Sequence, residues 1–312
     1  MDVVVRDLES EGHYPAAHVH RSCLASLIDF SAGREILLTD LTPKLLKGFE
    51  CRLVEKGLKW NTVSTYLRVL RSVYHRAVSC HYVRYTPLLF REVFTGVDTT
   101  RKRALPVPVM KRWLTADVHL FPPEVRKAHA LFSLMFYFRG MPYIDLLHLR
   151  KQDVQDGVVS YHRHKTGRQL SIAIPAEALE LMDRYADRGD SAYLFPYFIK
   201  EAVFDEKDDE ATRKIKRDKA ARSSYESELR KFNHDLSRVA TLLGIKKPVS
   251  SYTPRHSWAT TAYHRNASAA IIGGAMGHTS TRATEFYLKA LEDGKIDEMN
   301  REIIDYIIKE VV

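Results

Sequence analysis

The sequence predicts a mainly α-helical protein with a small antiparallel β-sheet, an α+β fold. Apolar residues recur at helical spacing over 38–81, in short amphipathic segments separated by polar stops. By contrast, 158–164 and 170–174 alternate apolar and polar residues and are separated by Lys165-Thr166-Gly167. Two such runs joined by a short turn with glycine predict a β-hairpin. The 312 residues, 45% of them hydrophobic, suit two domains better than one.

The clearest N-terminal helix begins at Asn61, a residue that favours the N-cap position. Its opposite face and the residue before it are basic: Lys59, Arg68, Arg71 and Arg76. A solvated helix face would explain these charges. From Cys51 to Leu105, however, the chain has eleven basic residues and three acidic ones. This excess favours contacts with DNA phosphates, which give affinity without sequence choice.

A basic segment, Thr-Thr-Arg-Lys-Arg at 99–103, follows the helical region and predicts a flexible linker. Three candidate DNA contacts lie in it: Arg101, Lys102 and Arg103. The composition changes after Pro106. We therefore expect a helical domain at 1–98, a linker at 99–107 and a second domain at 108–312.

The second domain is expected to surround the hairpin with helices. The run at 123–138, rich in Leu, Met and Phe, predicts a buried helix. We expect another helix at 176–186 and a short extended piece at 193–197. The segment 200–224 carries many charges of both signs, which predicts an exposed, partly ordered insertion. Helical spacing resumes at Tyr225.

The composition of the whole chain indicates what kind of partner it binds and in which cellular compartment it works. A net charge of +9 favours an anionic partner. Cys23, Cys51 and Cys80 are scattered and odd in number, which predicts mostly buried, reduced thiols and no metal site. Because no apolar run approaches 18 residues and no signal segment begins the chain, we expect no membrane contact. A cytoplasmic, nucleoid-associated protein is predicted.

The segment 251–260 has features that favour binding of an anion. Thr253 favours the N-cap of a helix and Pro254 its first position. Arg255 then falls in the first turn, where backbone amides and the helix dipole attract negative charge. His256 follows directly.

Farther along the chain, His278 follows a helix that ends at Gly277, and Tyr287 comes nine residues after His278. A tyrosine that cuts a phosphodiester must lose its proton, with an unperturbed pKa of about 10. The transition state also needs cationic donors and an acid for the leaving oxygen. Arg255 and His278 carry suitable donors, and Lys165 lies in the hairpin turn. The alternatives are a tyrosine that only fills a core and a solvated turn lysine.

The ordered set Lys165, Arg255, His278 and Tyr287 resembles the tyrosine recombinases, the phage-integrase family, and 60–70 resembles their helical core-binding domain. The resemblance implies a core-binding domain followed by a catalytic domain. It also implies that the phenol oxygen of Tyr287 attacks a DNA phosphate to form a 3′-phosphotyrosyl link. His278 would donate a hydrogen bond to that phosphate, and Lys165 would protonate the leaving 5′ oxygen. No metal, ATP or other cofactor is implied.

Two positions depart from the family pattern. Tyr252 stands where the first histidine of its block is usual, and it leaves a hydroxyl donor there. Counted back from Asp145, the first catalytic arginine would stand at Pro142, whereas Arg139 lies three residues earlier. We expect Arg139 to reach the phosphate; an arginine that caps the preceding helix is the alternative. His256 is expected to contact DNA.

The resemblance further implies a homotetramer on two DNA sites, with 295–312 docking on a neighbouring protomer, and a monomer is compatible with the DNA-free state. The expected partner is double-stranded DNA with short repeat sites. The expected outcome is integration or excision of a mobile element, or inversion of a DNA segment. The alternatives are a type IB topoisomerase-like enzyme and a non-catalytic DNA-binding protein with a decayed active site.

Overall fold

The structure, a computed structural model, describes residues 1–98, 104–197, 205, 209–280, 284 and 301. These residues form a mainly helical fold with one three-stranded antiparallel sheet, which confirms the predicted fold class. They divide into two compact units, one containing 1–98 and 209–218 and the other containing the rest. None of the described helices combines the length and apolar character needed to cross a membrane.

The first unit is built from helices. They are α1 (Asp2–Ser10), α2 (Tyr14–Phe30), α3 (Pro43–Glu55) and α4 (Trp60–Ser79), with a 3₁₀ turn at Leu38–Asp40. The helical pattern over 38–81 is confirmed. α1 and α2 have no clear sequence signal, because α2 buries only Ala17 and Cys23 along its 17 residues. So sparse an apolar stripe does not stand out.

The N-cap of α4 lies two residues before its predicted position. Lys59 is the N-cap, and Asn61 lies inside the first turn. The Asn61 amide instead pairs with the backbone of Asp98, with Nδ2 donating to O at 2.9 Å and Oδ1 accepting from N at 2.8 Å. Ser64 Oγ donates to Gly96 O at 2.6 Å. α4 therefore fixes the residues that come just before the predicted linker.

The second unit has a larger core. Its helices are α5 (Val107–Leu114), α6 (Pro123–Tyr137), α7 (Tyr143–Leu147), α8 (Ala176–Tyr185), most of α9 (Glu210–Leu242), α10 (Thr253–His264) and α11 (Ala269–Ala275). α6 is buried along most of its length, and the ring centroid of its Phe132 lies 4.1 Å from that of Trp113 of α5. Phe232 of α9 belongs to the same core and stacks on Tyr143 of α7. The predicted helices at 123–138 and 176–186 are confirmed.

The sheet contains β1 (Val154–Gln155), β2 (Val158–His162) and β3 (Gln169–Ala173) in that order. β2 and β3 pair antiparallel, with Val159 opposite Ile172 and Tyr161 opposite Leu170. Val159, Tyr161 and Ile172 are buried, as the alternating pattern requires. The hairpin prediction is confirmed, whereas β1 is too short to show a pattern.

The expectation for the charged segment 200–224 needs correction. The charged segment 200–224 is helical from Glu210, where α9 begins, and not only from Tyr225. Ion pairs one turn apart, such as Arg222 Nε with Glu226 Oε1 at 2.8 Å, support the first part of α9, where the sequence has few apolar residues. Residues 198–204 and 206–208 lie outside the described residues.

The structure also bears on the predicted burial of the cysteines and on the predicted linker. Cys23 is buried, but Cys51 and Cys80 are exposed, so the prediction of mostly buried thiols is wrong. Both exposed cysteines lie on the solvent side or at the end of a helix in the first unit. Within 99–107, residues 99–103 lie outside the described residues, and Leu105 is buried with its N donating to Ser257 Oγ at 2.9 Å.

Candidate active site

Arg255 is buried in the first turn of α10, with 5% of its surface exposed. Its Nη1 donates to Gly140 O and its Nη2 to Met276 O, each at 2.9 Å. Nη2 also lies 3.0 Å from His278 Nε2. A buried cation is costly unless its donors are bonded. These partners therefore fix both the position and the plane of the guanidinium group.

Gly140 lets the chain approach Arg255 closely. It has a left-handed φ of +71°, and a Cβ at this position would lie 2.7 Å from Arg255 Cα. Arg139 also has a left-handed φ, +57°, which is uncommon for a residue with a Cβ. Its Nη1 lies 3.5 Å from Ser171 O on β3. Pro142 is the N-cap of α7 and offers no side-chain donor.

His278 follows α11 and faces Arg255. Its Nε2 accepts from the guanidinium group, which has no lone pair, so we assign the imidazole proton to Nδ1. Nδ1 lies 2.8 Å from Thr284 Oγ1. Burial, followed by the positive charges of Arg255, Arg163 and Lys165, lowers the pKa of His278 to about 4. The imidazole is therefore neutral near pH 7.

Lys165 lies in the turn between β2 and β3 and is exposed. The residues on either side of it reach the chain segment that leads into His278. Arg163 Nη1 donates to Gly277 O at 3.1 Å, and Thr166 Oγ1 donates to the same oxygen at 3.2 Å. The structure thus joins the turn that carries Lys165 to the segment that carries His278.

Tyr252 is 58% exposed and is itself the N-cap of α10. The predicted cap, Thr253, is the first helical residue, and its Oγ1 accepts from Ser250 N at 2.9 Å. The predicted helix start is therefore one residue late, but Arg255 still falls in the first turn. The Tyr252 ring centroid lies 6.2 Å from that of the half-buried His256.

The basic residues of the first unit lie on or beside α4. Lys59 and Arg68 are exposed, and Arg71 is half-buried. Arg76 is exposed and its Nη2 lies 2.5 Å from Asp7 Oδ2. DNA contact by these residues stays a prediction, and a phosphate at Arg76 would compete with the Asp7 carboxylate.

Tyr287 lies outside the described residues. The same holds for Arg101, Lys102, Arg103 and, apart from Arg301, the tail 295–312. Their predicted roles stay predictions. Within the part of the chain that the structure describes, no group of three or more His, Cys, Asp or Glu residues is arranged to hold a metal ion.

Arg163 and Asp145 belong to the site although neither is among the predicted site residues. Asp145 is 3% exposed and its Oδ1 accepts from His164 N at 3.0 Å. Arg163 Nε lies 3.8 Å from Asp145 Oδ2. The sequence does hold a signal for Arg163, because it continues the core-facing series of Val159 and Tyr161. A charged residue in that register requires a buried partner.

Two family models match the chain. The phage integrase SAM-like domain covers 1–93, and the phage integrase family covers 115–293. The tyrosine recombinase XerC of Thermodesulfovibrio yellowstonii is 23% identical over 293 residues, with 87% of this chain and 85% of that protein covered.

Solved structures share the fold. The XerH site-specific recombinase bound to a palindromic difH substrate, a post-cleavage complex, has a TM-score of 0.65 at 15% identity, covering 91% of this chain and 78% of that one. A lambda integrase dimer bound to a COC′ core site has a TM-score of 0.59 at 16% identity, covering 87% of both chains. Because the family model spans more than half of the sequence, the chain belongs to the phage integrase family, the tyrosine recombinases, whose catalytic domain is a DNA strand transferase.

Proposed function

We propose that this chain is a site-specific recombinase that cleaves and rejoins double-stranded DNA through a 3′-phosphotyrosyl link to Tyr287. The phenol proton passes to solvent as the phenol oxygen bonds to phosphorus. The bond from phosphorus to the 5′ oxygen breaks, and that oxygen takes a proton from Lys165. The freed 5′ hydroxyl then attacks the phosphotyrosyl phosphorus on the partner strand, which restores a phosphodiester, breaks the bond from phosphorus to the tyrosine oxygen and releases the phenol. The outcome is integration or excision of a mobile element, or inversion of a DNA segment.

The contact between Arg255 and His278 carries this proposal. The two groups lie 3.0 Å apart, and both offer N–H donors of the kind that stabilise the non-bridging oxygens of a phosphate. The bonds from Arg255 to Gly140 O and Met276 O can hold the guanidinium group in place when a phosphate displaces His278 from it. The first turn of α10 adds the positive end of the helix dipole.

His278 must donate from Nε2 to bind a phosphate, although this atom accepts from Arg255 in the DNA-free site. A pKa of about 4 makes the cationic form scarce near pH 7, so a shift of the neutral proton from Nδ1 to Nε2 is the simpler route. Thr284 permits this shift. Its hydroxyl can accept from Nδ1–H or donate to a bare Nδ1, and the 2.8 Å contact is kept in both tautomers.

Two further residues complete the proposed donor set. Arg139 takes the role of the first catalytic arginine, because its neighbour Gly140 contacts Arg255 and its own backbone is held in a strained left-handed conformation. Tyr252, exposed at the N-cap of α10, supplies a hydroxyl to the phosphate.

The first 98 residues form the core DNA-binding domain in this proposal, 99–107 the linker and 108–312 the catalytic domain. The proposed DNA contacts are Lys59, Arg68, Arg71, Arg76, Arg101, Lys102, Arg103 and His256. The XerH and lambda integrase structures contain DNA sites, which supports double-stranded DNA as the partner. A homotetramer on two sites, docked through 295–312, completes the assembly.

A nicked suicide duplex tests the proposal, with sites taken from repeats that flank the gene. We expect a covalent adduct that persists in EDTA and is absent in Tyr287→Phe. Binding without adduct by the wild-type protein would instead identify a non-catalytic DNA-binding protein. Relaxation of a supercoiled plasmid that lacks the repeats would favour a topoisomerase-like enzyme.

The same duplex tests Arg139. Arg139→Ala should slow cleavage about 10²-fold or more, as expected when a donor to the transition state is lost. Arg150→Ala, at an exposed arginine of the same unit, is the control. Equal cleavage by wild type and Arg139→Ala would remove Arg139 from the site.

A further inference from the structure

We propose that Arg163 is a positioning residue that sets where Lys165 presents its ammonium group to the leaving 5′ oxygen. This inference rests on the proposed function, in which Lys165 is the general acid. Arg163 is only 8% exposed and its guanidinium group faces Gly277 and Asp145, so it acts through its neighbours.

The first anchor of Arg163 is the Gly277 carbonyl. This oxygen accepts from both Arg163 Nη1 and Thr166 Oγ1, and Arg168 Nη1 donates to the next carbonyl, that of His278, at 2.8 Å. Gly277 has a left-handed φ of +68°, and a Cβ here would lie 2.9 Å from Arg163 Cδ. The hairpin turn and the His278 segment therefore meet at a contact that only glycine permits.

The second anchor is Asp145, on α7. Its Oδ1 accepts from His164 N at 3.0 Å, while its Oδ2 lies 3.8 Å from Arg163 Nε. Among the described residues, neither Oδ2 nor Nε has a hydrogen-bond partner. The two opposite charges nonetheless attract, because both side chains are buried and water screens them little. Burial raises the pKa of the Asp145 carboxyl, whereas the bond from His164 N and the charge of Arg163 lower it.

The backbone of Arg163 also closes the turn. Its N donates to Arg168 O at 2.9 Å, and its O accepts from Thr166 N at 3.2 Å and Gly167 N at 2.8 Å. Lys165 lies inside this closed turn and is exposed, so the direction of the turn decides where its side chain begins. Loss of the Arg163 side chain would let the turn swing and would misplace the proton donor, while Arg255 keeps its own partners.

Two suicide duplexes that differ in one atom can distinguish a positioning role of Arg163 from a purely structural one. The bridging 5′ atom is oxygen in the first and sulfur in the second. A thiol has a pKa of about 8.5, far below that of an alcohol, so the sulfur leaves without a proton donor. Lys165→Ala sets the scale: it should lose about 10²–10⁴-fold on the oxygen duplex and recover on the sulfur duplex.

Arg163→Met keeps the side-chain volume and removes the donors. We expect single-turnover cleavage to fall about 100-fold on the oxygen duplex and to stay within about threefold of wild type on the sulfur duplex. Arg184→Met, at an exposed arginine of α8 paired with Glu180, is the matched control and should cleave both like wild type. Equal losses on the two duplexes, or no loss on either, would overturn the role of Arg163.

A second variant tests whether Arg163→Met loses activity only because it misfolds. Arg163→Met leaves Asp145 without its buried cation, which destabilises the fold, so its Tm is measured alongside. Thr166→Val removes the other donor to Gly277 O without unpairing a charge, and it should lose about tenfold on oxygen alone. An unchanged rate on oxygen, or an equal loss on sulfur, would overturn the inference. If wild type forms no adduct with either duplex, the proposed function fails instead.

Discussion

The two units of the protein hold arginine in opposite ways. On α4 of the first unit, Arg68 is exposed, and the Arg76 side chain is 51% exposed despite its ion pair with Asp7. In the second unit, Arg255 is 5% exposed and Arg163 8%. Both buried arginines donate to backbone carbonyls. The first pair resembles a charged surface, whereas the second is part of the packed fold.

The exposed arginines are expected to contribute affinity for DNA, whereas the buried arginines are expected to fix the geometry of the active site. An exposed cation attracts a phosphate by releasing counterions, and one cation can replace another with little effect. A buried guanidinium group held by fixed carbonyls presents its remaining N–H donors in one direction, which a lysine cannot reproduce. The same substitution should therefore have unlike effects in the two units.

The largest contrast is expected from replacing arginine by lysine. Arg255→Lys should slow adduct formation about 10²–10³-fold, because a single ammonium group cannot bond Gly140 O and Met276 O while it faces the phosphate. Arg68→Lys should leave binding and cleavage within about twofold of wild type. Single-turnover rates on the suicide duplex measure both. Similar losses in the two variants would contradict the proposed difference between buried and exposed arginines.

The next contrast tests how closely Arg255 is packed. Gly140→Ala should cost about 2–4 kcal/mol of unfolding free energy, because it combines a left-handed φ with a Cβ 2.7 Å from Arg255 Cα. Gly157→Ala is the matched control. Gly157 also has a left-handed φ, +74°, but nothing lies within 4 Å of its Cβ position. Its cost should be about 1 kcal/mol.

Denaturant unfolding of the two glycine variants gives the difference. Equal costs would mean that the chain relaxes around the new methyl group and that Gly140 does not set the position of Arg255. A larger cost at Gly140, together with slower cleavage, would tie the packing to the chemistry.

The local parts of the fold could be predicted because their signals are local. The apolar spacing of α4, the alternation of β2 and β3, and the first-turn position of Arg255 are all set by residues within a few positions of one another. α1 and α2 escaped prediction, because their few buried residues make a weak stripe.

The contacts that complete the site join residues far apart in the chain, and spacing does not encode them. Gly140 binds a guanidinium group 115 residues away, and Arg163 reaches a carbonyl 114 residues away. Asn61 shows the same limit on a smaller scale. Its type favours an N-cap, but its amide pairs with a distant backbone partner, Asp98, and Lys59, two residues earlier, is the N-cap.

A smaller effect, on DNA binding, is expected from replacing the exposed arginines of α4. If Arg68 neutralises one phosphate, Arg68→Gln should weaken binding and reduce the slope of log K against log salt concentration by about 1. Arg76→Gln should change the slope less, because Arg76 already pairs with Asp7. Fluorescence anisotropy of a labelled duplex across a salt series measures both slopes. A slope that does not change in Arg68→Gln would remove this residue from the DNA contacts.

The smallest predicted effect concerns the pH dependence of stability in the buried site. The pKa of His278 is lowered to about 4, first by burial and then by the charges of Arg255, Arg163 and Lys165. An unfolded histidine has a pKa of about 6.5, so between pH 6.5 and 4 the unfolded chain binds the proton more readily than the folded one. The contribution of His278 is therefore complete above about pH 6.5 and is lost as the pH falls toward 4.

His278→Gln removes this titration, so the variant should lose less unfolding free energy than wild type between pH 6.5 and 4. Urea unfolding at half-unit pH steps measures the two curves, and solvent screening of a half-buried group keeps their divergence modest. His75→Gln, at an exposed histidine of α4, is the matched substitution. Parallel curves for wild type and His278→Gln, or the same divergence in His75→Gln, would contradict the prediction. Divergence confined to His278→Gln would show that burial beside Arg255 changes how His278 titrates in the folded protein.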